Sequence, residues 1–264
     1  MDRPKKTPLN HEWRSTDDGT LTLFSMNYQE SCHSTAGAKN ETQFHYIEGC
    51  SIVETYKTRD SFTLLEVGFG TGLGLELTVQ ALRDQSTKPA RLISTEIDES
   101  LVEFLIAESS FPYLKNLQKN GYYYQGKFEQ FEIIILVGDA RKTVPQFFSE
   151  NNILIDAIYQ DAFSPRRNPD LWTVEWFSDL KKISHQEVKL STYSSSSSMR
   201  KSLVESGWKI TKGPKFGEKR SSTRATLQGT SHQEILDHLA RSPVSAITDA
   251  TCAEFKNGNT NDKK

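Results

Sequence analysis

An α/β fold built on a mostly parallel sheet is predicted by three observations. Short apolar runs alternate with stretches of helical spacing from residue 62 onward. A glycine-rich segment, GFGTGLG, separates the first such run from the first such helix. Acidic residues stand where several of the runs end. Alternation of this kind buries a parallel sheet between helical layers, and ligands of such sheets gather outside the carboxyl ends of the strands.

Residues 1–60 read as an N-terminal extension that opens on a Pro/Lys-rich tip. The turn signal Asp17-Asp18-Gly19 precedes TLTLF, whose alternation predicts a strand. Phe44, Ile47 and Ile52 predict a helix from Glu41 to Tyr56, with Gly49 as its weak point. FTLLEVG is a short apolar run bounded by glycine, the pattern of a buried strand, and Leu73, Leu77, Ala81 and Leu82 behind it have helical spacing. ARLISTEID is the next strand, and Ser100 with Glu103 predicts a capping box before LVEFLIAE. Asn116 to Phe131 is an inserted loop or a small hairpin. EIIILV and ILIDAIYQDAF are two further strands, ending in Gly138-Asp139-Ala140 and in Asp161-Ala162-Phe163-Ser164-Pro165; Leu171 to Ile183 reads as a helix.

Strand VKLSTY, helix Met199 to Glu205, strand WKIT and a last strand from Thr223 to Leu227 follow. WKIT and TRATL are joined by a glycine-bearing loop and not by a helix. They are expected to close the sheet as an antiparallel pair, the ending of a Rossmann-like class I methyltransferase fold. The domain proper is thus 61–228. Ser231 with Glu234 predicts one more helix cap, and residues 229–264 read as a polar tail, frayed from 241 on.

The glycine loop narrows the ligand. The dinucleotide fingerprint GxGxxG needs a third glycine where Leu73 or Leu75 stands. The spacing here is Gly68, Gly70, Gly72, the GxGxG loop of S-adenosylmethionine enzymes, whose backbone turns sharply and approaches a ligand closely. Three acids accompany it. Glu66 precedes the loop, near the methionine end of such a cofactor. Glu96 ends the next strand about 20 residues on, where an acid accepts ribose hydroxyls. Asp139 ends the strand after that, beside Ala140, at the adenine edge. A loop and three acids at one sheet edge form a ligand-site pattern, although each carboxylate alone is an ordinary strand end.

Composition bounds the rest. Of 264 residues 36% are hydrophobic and 25% charged, enough for a full core without disulfides or structural metal. A net charge of −2 excludes a globally basic nucleic-acid binder. A local patch remains, because eight basic residues face two acids between Arg200 and Arg224, and Arg166-Arg167 add charge beside Asp161. Tyr113, Tyr122, Tyr123 and Tyr124 are packing residues or base-stacking ones. The three cysteines are scattered, and no metal-spaced cluster, GxSxG or Ser-His-Asp pattern occurs. With no signal-peptide pattern and no apolar run near the ~20 residues of a membrane helix, a cytoplasmic protein without membrane contact is expected.

Eight segments stand in the order of one family: TDDGTLTL (16–23), YQESCHSTAGAKNE (28–41), EVGFGTGLG (66–74), the acid of STEID (94–98), GDA (138–140), DAFSPRRNPDLW (161–172), STYS (191–194) and FGEKR (216–220). The sequence resembles the methyltransferase component of the enzymes that make 5-methylaminomethyl-2-thiouridine at the tRNA wobble position, in its stand-alone form. The resemblance implies methyl transfer from S-adenosylmethionine to the primary amine of 5-aminomethyl-2-thiouridine, with tRNA as partner. Glu66, the loop glycines, Glu96, Asp139 and Ala140 would hold cofactor. Asp161 would be the catalytic polar residue at the amine. His33, Glu41, Phe163, Pro165, Tyr193, Lys219 and Arg220 would face substrate. Many relatives are fused to a flavin-dependent oxidase; no second nucleotide fingerprint occurs here, so FAD and oxidase activity are not expected. The loop ends in Gly74 where relatives usually carry Asn. Two other readings are an aminopropyltransferase of the spermidine synthase type, whose usual acidic GGGDG-like loop is missing here, and a tRNA-binding protein that keeps the fold without catalysis.

Overall fold

The computed structural model describes residues 6–214 and 221–256. Lys219 and Arg220, expected at tRNA, lie outside the described residues. Three short strands come first, β1 (His11–Ser15), β2 (Leu21–Ser25) and β3 (Glu30–Ser31), paired antiparallel in a sheet of their own. Leu23 anchors this sheet, fully buried among residues of the main domain. The Asp18 carboxylate of the predicted turn accepts from Lys39 N (3.1 Å) and Asn40 N (3.2 Å). It thereby satisfies the first turn of helix α1 (Ala38–Thr42) from outside the helix.

The single helix expected from Glu41 to Tyr56 is instead three pieces. α1 runs into a π-turn (Gln43–Ile47), the chain breaks at 48–51, and α2 (Ile52–Thr58) starts afresh after Ser51 at φ +47°. The break at Gly49 leaves no room for a side chain. A Cβ there would lie 1.8 Å from His45 O and 2.4 Å from Ser191 Oγ.

The alternating core follows: β4 (Phe62–Val67), α3 (Leu73–Leu82), β5 (Ala90–Glu96), α4 (Glu99–Glu108), a 3₁₀ turn (Pro112–Asn116), β6 (Gln118–Asn120), β7 (Tyr123–Phe128), β8 (Phe131–Val137), α5 (Ala140–Asn151) and β9 (Ile155–Gln160). After a second 3₁₀ turn (Pro169–Trp172) come α6 (Val174–Lys182), β10 (Ser184–Thr192), α7 (Ser197–Glu205), β11 (Lys209–Gly213), β12 (Ser222–Thr226), α8 (Gln233–Arg241) and α9 (Cys252–Lys256).

The nine strands of the main sheet lie in the order β11-β12-β10-β9-β4-β5-β8-β7-β6. β10, β9, β4, β5 and β8 pair parallel; β12 runs antiparallel between β10 and β11, as the helix-free connection predicts. Residues 116–131 are a hairpin, and β7 adds it antiparallel to β8 at the far edge. Every residue of β4 and of β9 is buried, because both faces of the central strands are covered. One face carries α2, α3 and α4 with Tyr56, Leu75, Leu82 and Leu101; the other carries α5 to α9 with Phe148, Trp176, Leu203 and Leu239.

Two predicted caps move. Asp98, not Ser100, caps α4, accepting from Ser100 N at 3.0 Å, while Glu103 accepts from Tyr124 Oη. A carboxylate at the strand end reaches the first free N–H groups before serine does. α8 begins after His232 without a side-chain cap, because Ser231 Oγ is taken by Ile210 N at 3.0 Å. The frayed tail is corrected as far as Lys256, residues 257–264 lying outside the described residues: Ile247, Cys252 and Phe255 are buried against the core, and Val174 N donates to Ile247 O at 2.9 Å. Three apolar residues scattered among polar ones suffice to dock it. Among the described residues no helix is long and apolar enough to cross a membrane.

Gly49→Ala is expected to cost about 1–3 kcal/mol, as overpacking does, since the obstacle at 1.8 Å is backbone. Denaturant unfolding measures it, and an unchanged midpoint would remove the steric account of Gly49.

Candidate active site

At the carboxyl edge of the sheet the loops after β4 and β9 meet. Gly68 has φ +107°, and a Cβ there would lie 2.7 Å from Asp161 O. Asp161 N donates to Val67 O at 3.0 Å, and Gly68 N to Thr95 Oγ1 at 3.1 Å. Three strand ends are thus tied at one point, and a cavity of about 890 Å³ opens above them. Its wall includes Glu66, Gly68, Gly70, Glu96, Asp139, Ala140, Asp161, Phe163, Tyr193, His33 and Glu41. Two expected site residues stand behind the wall. The Gly72 carbonyl accepts from Tyr113 Oη at 2.6 Å at the start of α3, and Pro165 is buried inside its loop.

The acids differ in environment. Glu66 is buried level with Ser94 on β5, whose hydroxyl donates to it at 2.6 Å. Burial pushes its carboxyl up to about 8 against that hydrogen bond, so it is largely protonated at neutral pH. Gly74 makes room for it, since a Cβ there would lie 1.7 Å from Glu66 Oε1. Gly74 is therefore matched to this carboxyl's position. Glu96 accepts from Gly70 N (3.3 Å) and Asp98 N (3.0 Å), and desolvation lifts it to about 7. Asp139 is exposed and caps α5 through Arg141 N at 3.0 Å.

The loop 161–172 is held from several sides. Trp172, fully buried, donates from Nε1 to Phe163 O at 2.8 Å, and Tyr193 Oη donates to Ala162 O at 2.8 Å. From the N-terminal extension Glu30 accepts from Ser164 N at 2.9 Å, and the Tyr28 ring stacks on Phe163 at 4.4 Å. His33 and Glu41 shape the same extension. His33 N donates to Thr22 Oγ1 at 3.0 Å, and Glu41 accepts from Ser34 N at 2.6 Å. Burial lowers His33 to about 4, so it is uncharged at neutral pH.

Sequence reasoning missed several wall residues. Tyr28, Glu30 and Cys32 lie in a segment already singled out, without a pattern that marked them. Asp249 and Lys256 come from the supposedly frayed tail. Arg141 pairs with Asp249, and Lys256 Nζ lies 2.6 Å from Asp170 Oδ2. The tyrosine cluster is packing: Tyr113 is buried, and the Tyr122 and Tyr124 hydroxyls donate to Glu150 and Glu103. Of the basic run, Arg200 is buried and donates to Thr223 Oγ1 and Ser222 O, bracing β12 from α7.

A loop of positive-φ glycines, a carboxylate at each neighbouring strand end and a deep cavity above them fit an adenosyl cofactor. Residues 106–228 match a family of S-adenosyl-L-methionine-dependent methyltransferases. Fold, site and family together define a Rossmann-like S-adenosyl-L-methionine-dependent methyltransferase domain. Within that class the resemblance is to the MnmC proteins. The chain is 32% identical over 222 residues to the tRNA 5-methylaminomethyl-2-thiouridine biosynthesis bifunctional protein MnmC of Paraburkholderia phymatum, a match covering 78% of this chain and 33% of that protein. The namesake protein of Ralstonia nicotianae is 29% identical over 220 residues, with the same coverages of 78% and 33%. The chain thus spans about a third of the length of these curated relatives. The crystal structure of MNMC2 from Aquifex aeolicus superposes with a TM-score of 0.73 at 28% identity, over 92% of this chain and 79% of that one.

The raised Glu66 carboxyl gives a signed prediction. A pKa of about 8 in the fold against an ordinary 4.5 means stability that is full below about pH 4.5 and lost as pH rises through 8. Ligand-free Glu66→Gln should therefore gain on the parent above pH 8, by on the order of 2–4 kcal/mol. The gap should close toward pH 5. Thermal unfolding across pH 5–9 measures it; a gap independent of pH would mean that Glu66 does not titrate there.

Proposed function

We propose that this chain transfers a methyl group from S-adenosylmethionine to the primary amine of 5-aminomethyl-2-thiouridine at the tRNA wobble position. The observation that carries this reading is Asp161, which lines the cavity with its backbone carbonyl against Gly68, in a chain similar to proteins named for 5-methylaminomethyl-2-thiouridine biosynthesis. Glu66, Gly68, Gly70, Glu96, Asp139 and Ala140 hold the cofactor, with Gly72 setting the turn into α3. When bound, the cofactor supplies an electrophilic methyl group on a sulfonium.

The residues of the chain do the rest. A primary alkylamine is mostly protonated at neutral pH, near the lysine value of about 10.4, and must release a proton to expose its lone pair. Asp161 is not assigned that proton, because a free aspartate carboxyl near 3.9 is a poor base. Its task is to accept an N–H hydrogen bond, aim the lone pair, and offset the positive charge that nitrogen acquires with the methyl group. Positioning of this kind is worth about 7–11 kcal/mol in favourable cases. Phe163 and Tyr193 flank Asp161 in the wall. Arg166 and Arg167 are exposed on the same loop, where they meet backbone phosphate; Pro165 supports that loop from within. The reading includes a cytoplasmic site of action.

The test is transfer of labelled methyl from S-adenosylmethionine to tRNA carrying 5-aminomethyluridine, with unmodified tRNA as control. Label recovered as 5-methylaminomethyluridine, dependent on the modification, is expected. Label in neither tRNA, with the cofactor bound, would overturn the substrate. Asp161→Asn should lower turnover about 100-fold or more, as loss of one preorganised charge-stabilising group does, while cofactor affinity stays within threefold. Near-normal turnover would remove Asp161 from the reaction.

A further inference from the structure

The Tyr46 hydroxyl donates to Asp161 Oδ1 at 2.5 Å, across 115 residues of sequence. Tyr46 is 1% exposed, and its ring packs on Tyr159 of β9 with centroids 5.1 Å apart. The Tyr159 hydroxyl in turn pairs with Thr78 of α3 at 3.1 Å. Tyr46 sits in the π-turn, and that turn is pinned to β10 where Ser191 Oγ donates to His45 O. An inserted residue of this kind re-aims the side chains around it, and such turns gather at functional sites. The ring is therefore held by Tyr159 and by the pinned turn that carries it, and its only polar atom is directed at the carboxylate that the reading above assigns to the amine.

We propose that Tyr46 is the positioning residue for Asp161, fixing the carboxylate in its cavity-facing orientation and supporting its ionised form during methyl transfer. The proposal rests on the substrate reading above. A carboxylate on a loop has two torsions to lose before it can aim an amine; a preset hydrogen bond removes that freedom before substrate arrives. A hydrogen bond to the ionised form also favours that form. Burial, and next the Asp161 charge, keep the Tyr46 hydroxyl well above the ordinary tyrosine range, so it remains a donor throughout the working pH range. Glu41 of α1, Cys32 just after β3 and Tyr193 beyond β10 also act electrostatically on this pair, and Glu30 of β3 acts in turn on Cys32 and Tyr193.

Tyr46→Phe keeps the ring and deletes the donor. Turnover on tRNA carrying 5-aminomethyluridine should fall about 10- to 100-fold, the range of one hydrogen bond to a charged group. KM for tRNA and affinity for S-adenosylhomocysteine should stay within threefold. The ratio of variant to parent turnover should fall further toward pH 5, because loss of the donor raises the Asp161 carboxyl; a merely structural tyrosine would leave that ratio flat. Tyr46→Phe combined with Asp161→Asn should be no slower than Asp161→Asn alone. A parent enzyme inactive on this tRNA overturns the substrate reading and this proposal with it. An active parent whose Tyr46→Phe variant keeps its turnover, shows a flat ratio, or adds its loss to that of Asp161→Asn overturns this proposal alone.

Discussion

The contact between the Gly68 backbone and the Asp161 carbonyl governs the site. β4 and β9 are adjacent parallel strands, and both loops leave the sheet on the same edge. Without a side chain at 68 the loops pass at van der Waals distance. Any side chain there would drive them apart, and with them the glycine loop and the Asp161 carboxylate. The distance between the glycine-loop part of the wall and the Asp161 part is thus set by backbone packing, which is stiffer than a side-chain contact.

The N-terminal extension completes that arrangement. Its small sheet has too little area to be stable alone, so Leu23 lends it the main core. In exchange it delivers Tyr28 and Glu30 to the Asp161 loop and Cys32 to the glycine loop, 3.3 Å from where a Gly70 Cβ would sit. The two loops are therefore held against each other from above as well as from below. The charge distribution follows the same division. Glu66 and Glu96, deep in the wall, are desolvated and drawn toward neutrality, while Asp139 at the rim stays exposed.

How much of this was legible depends on the range over which each feature is encoded. The parallel core was legible because period and length are local: FTLLEVG and EIIILV leave no other place for themselves than a buried strand. The acids Glu66, Glu96 and Asp161 were legible because strand ends are. Local signals also misled where a stronger competitor stood within two residues, as Asp98 did beside Ser100. Gly49 was noted as a weakness, but part of what bars a side chain there is Ser191, which no window around residue 49 contains. Tyr46 at Asp161 and Asp249 at Arg141 are partnerships across more than a hundred residues, and α9 with Phe255 docks on a turn about 80 residues before it. No periodicity announces them, and the low apolar content of 241–256 concealed a segment that needs only a few anchors.

The tail also bears on the order in which the molecule is completed. The glycine loop and its acids belong to the middle of the chain, and Tyr28 to its beginning, but Asp249 and Lys256 close the rim of the same cavity. A growing chain therefore possesses the sheet, both loops and the extension while its cavity is still open on one side. The enclosure becomes complete only when the last described helix settles against the Pro169–Trp172 turn. The described wall is therefore present only in a chain that reaches Lys256, and in no shorter fragment of it.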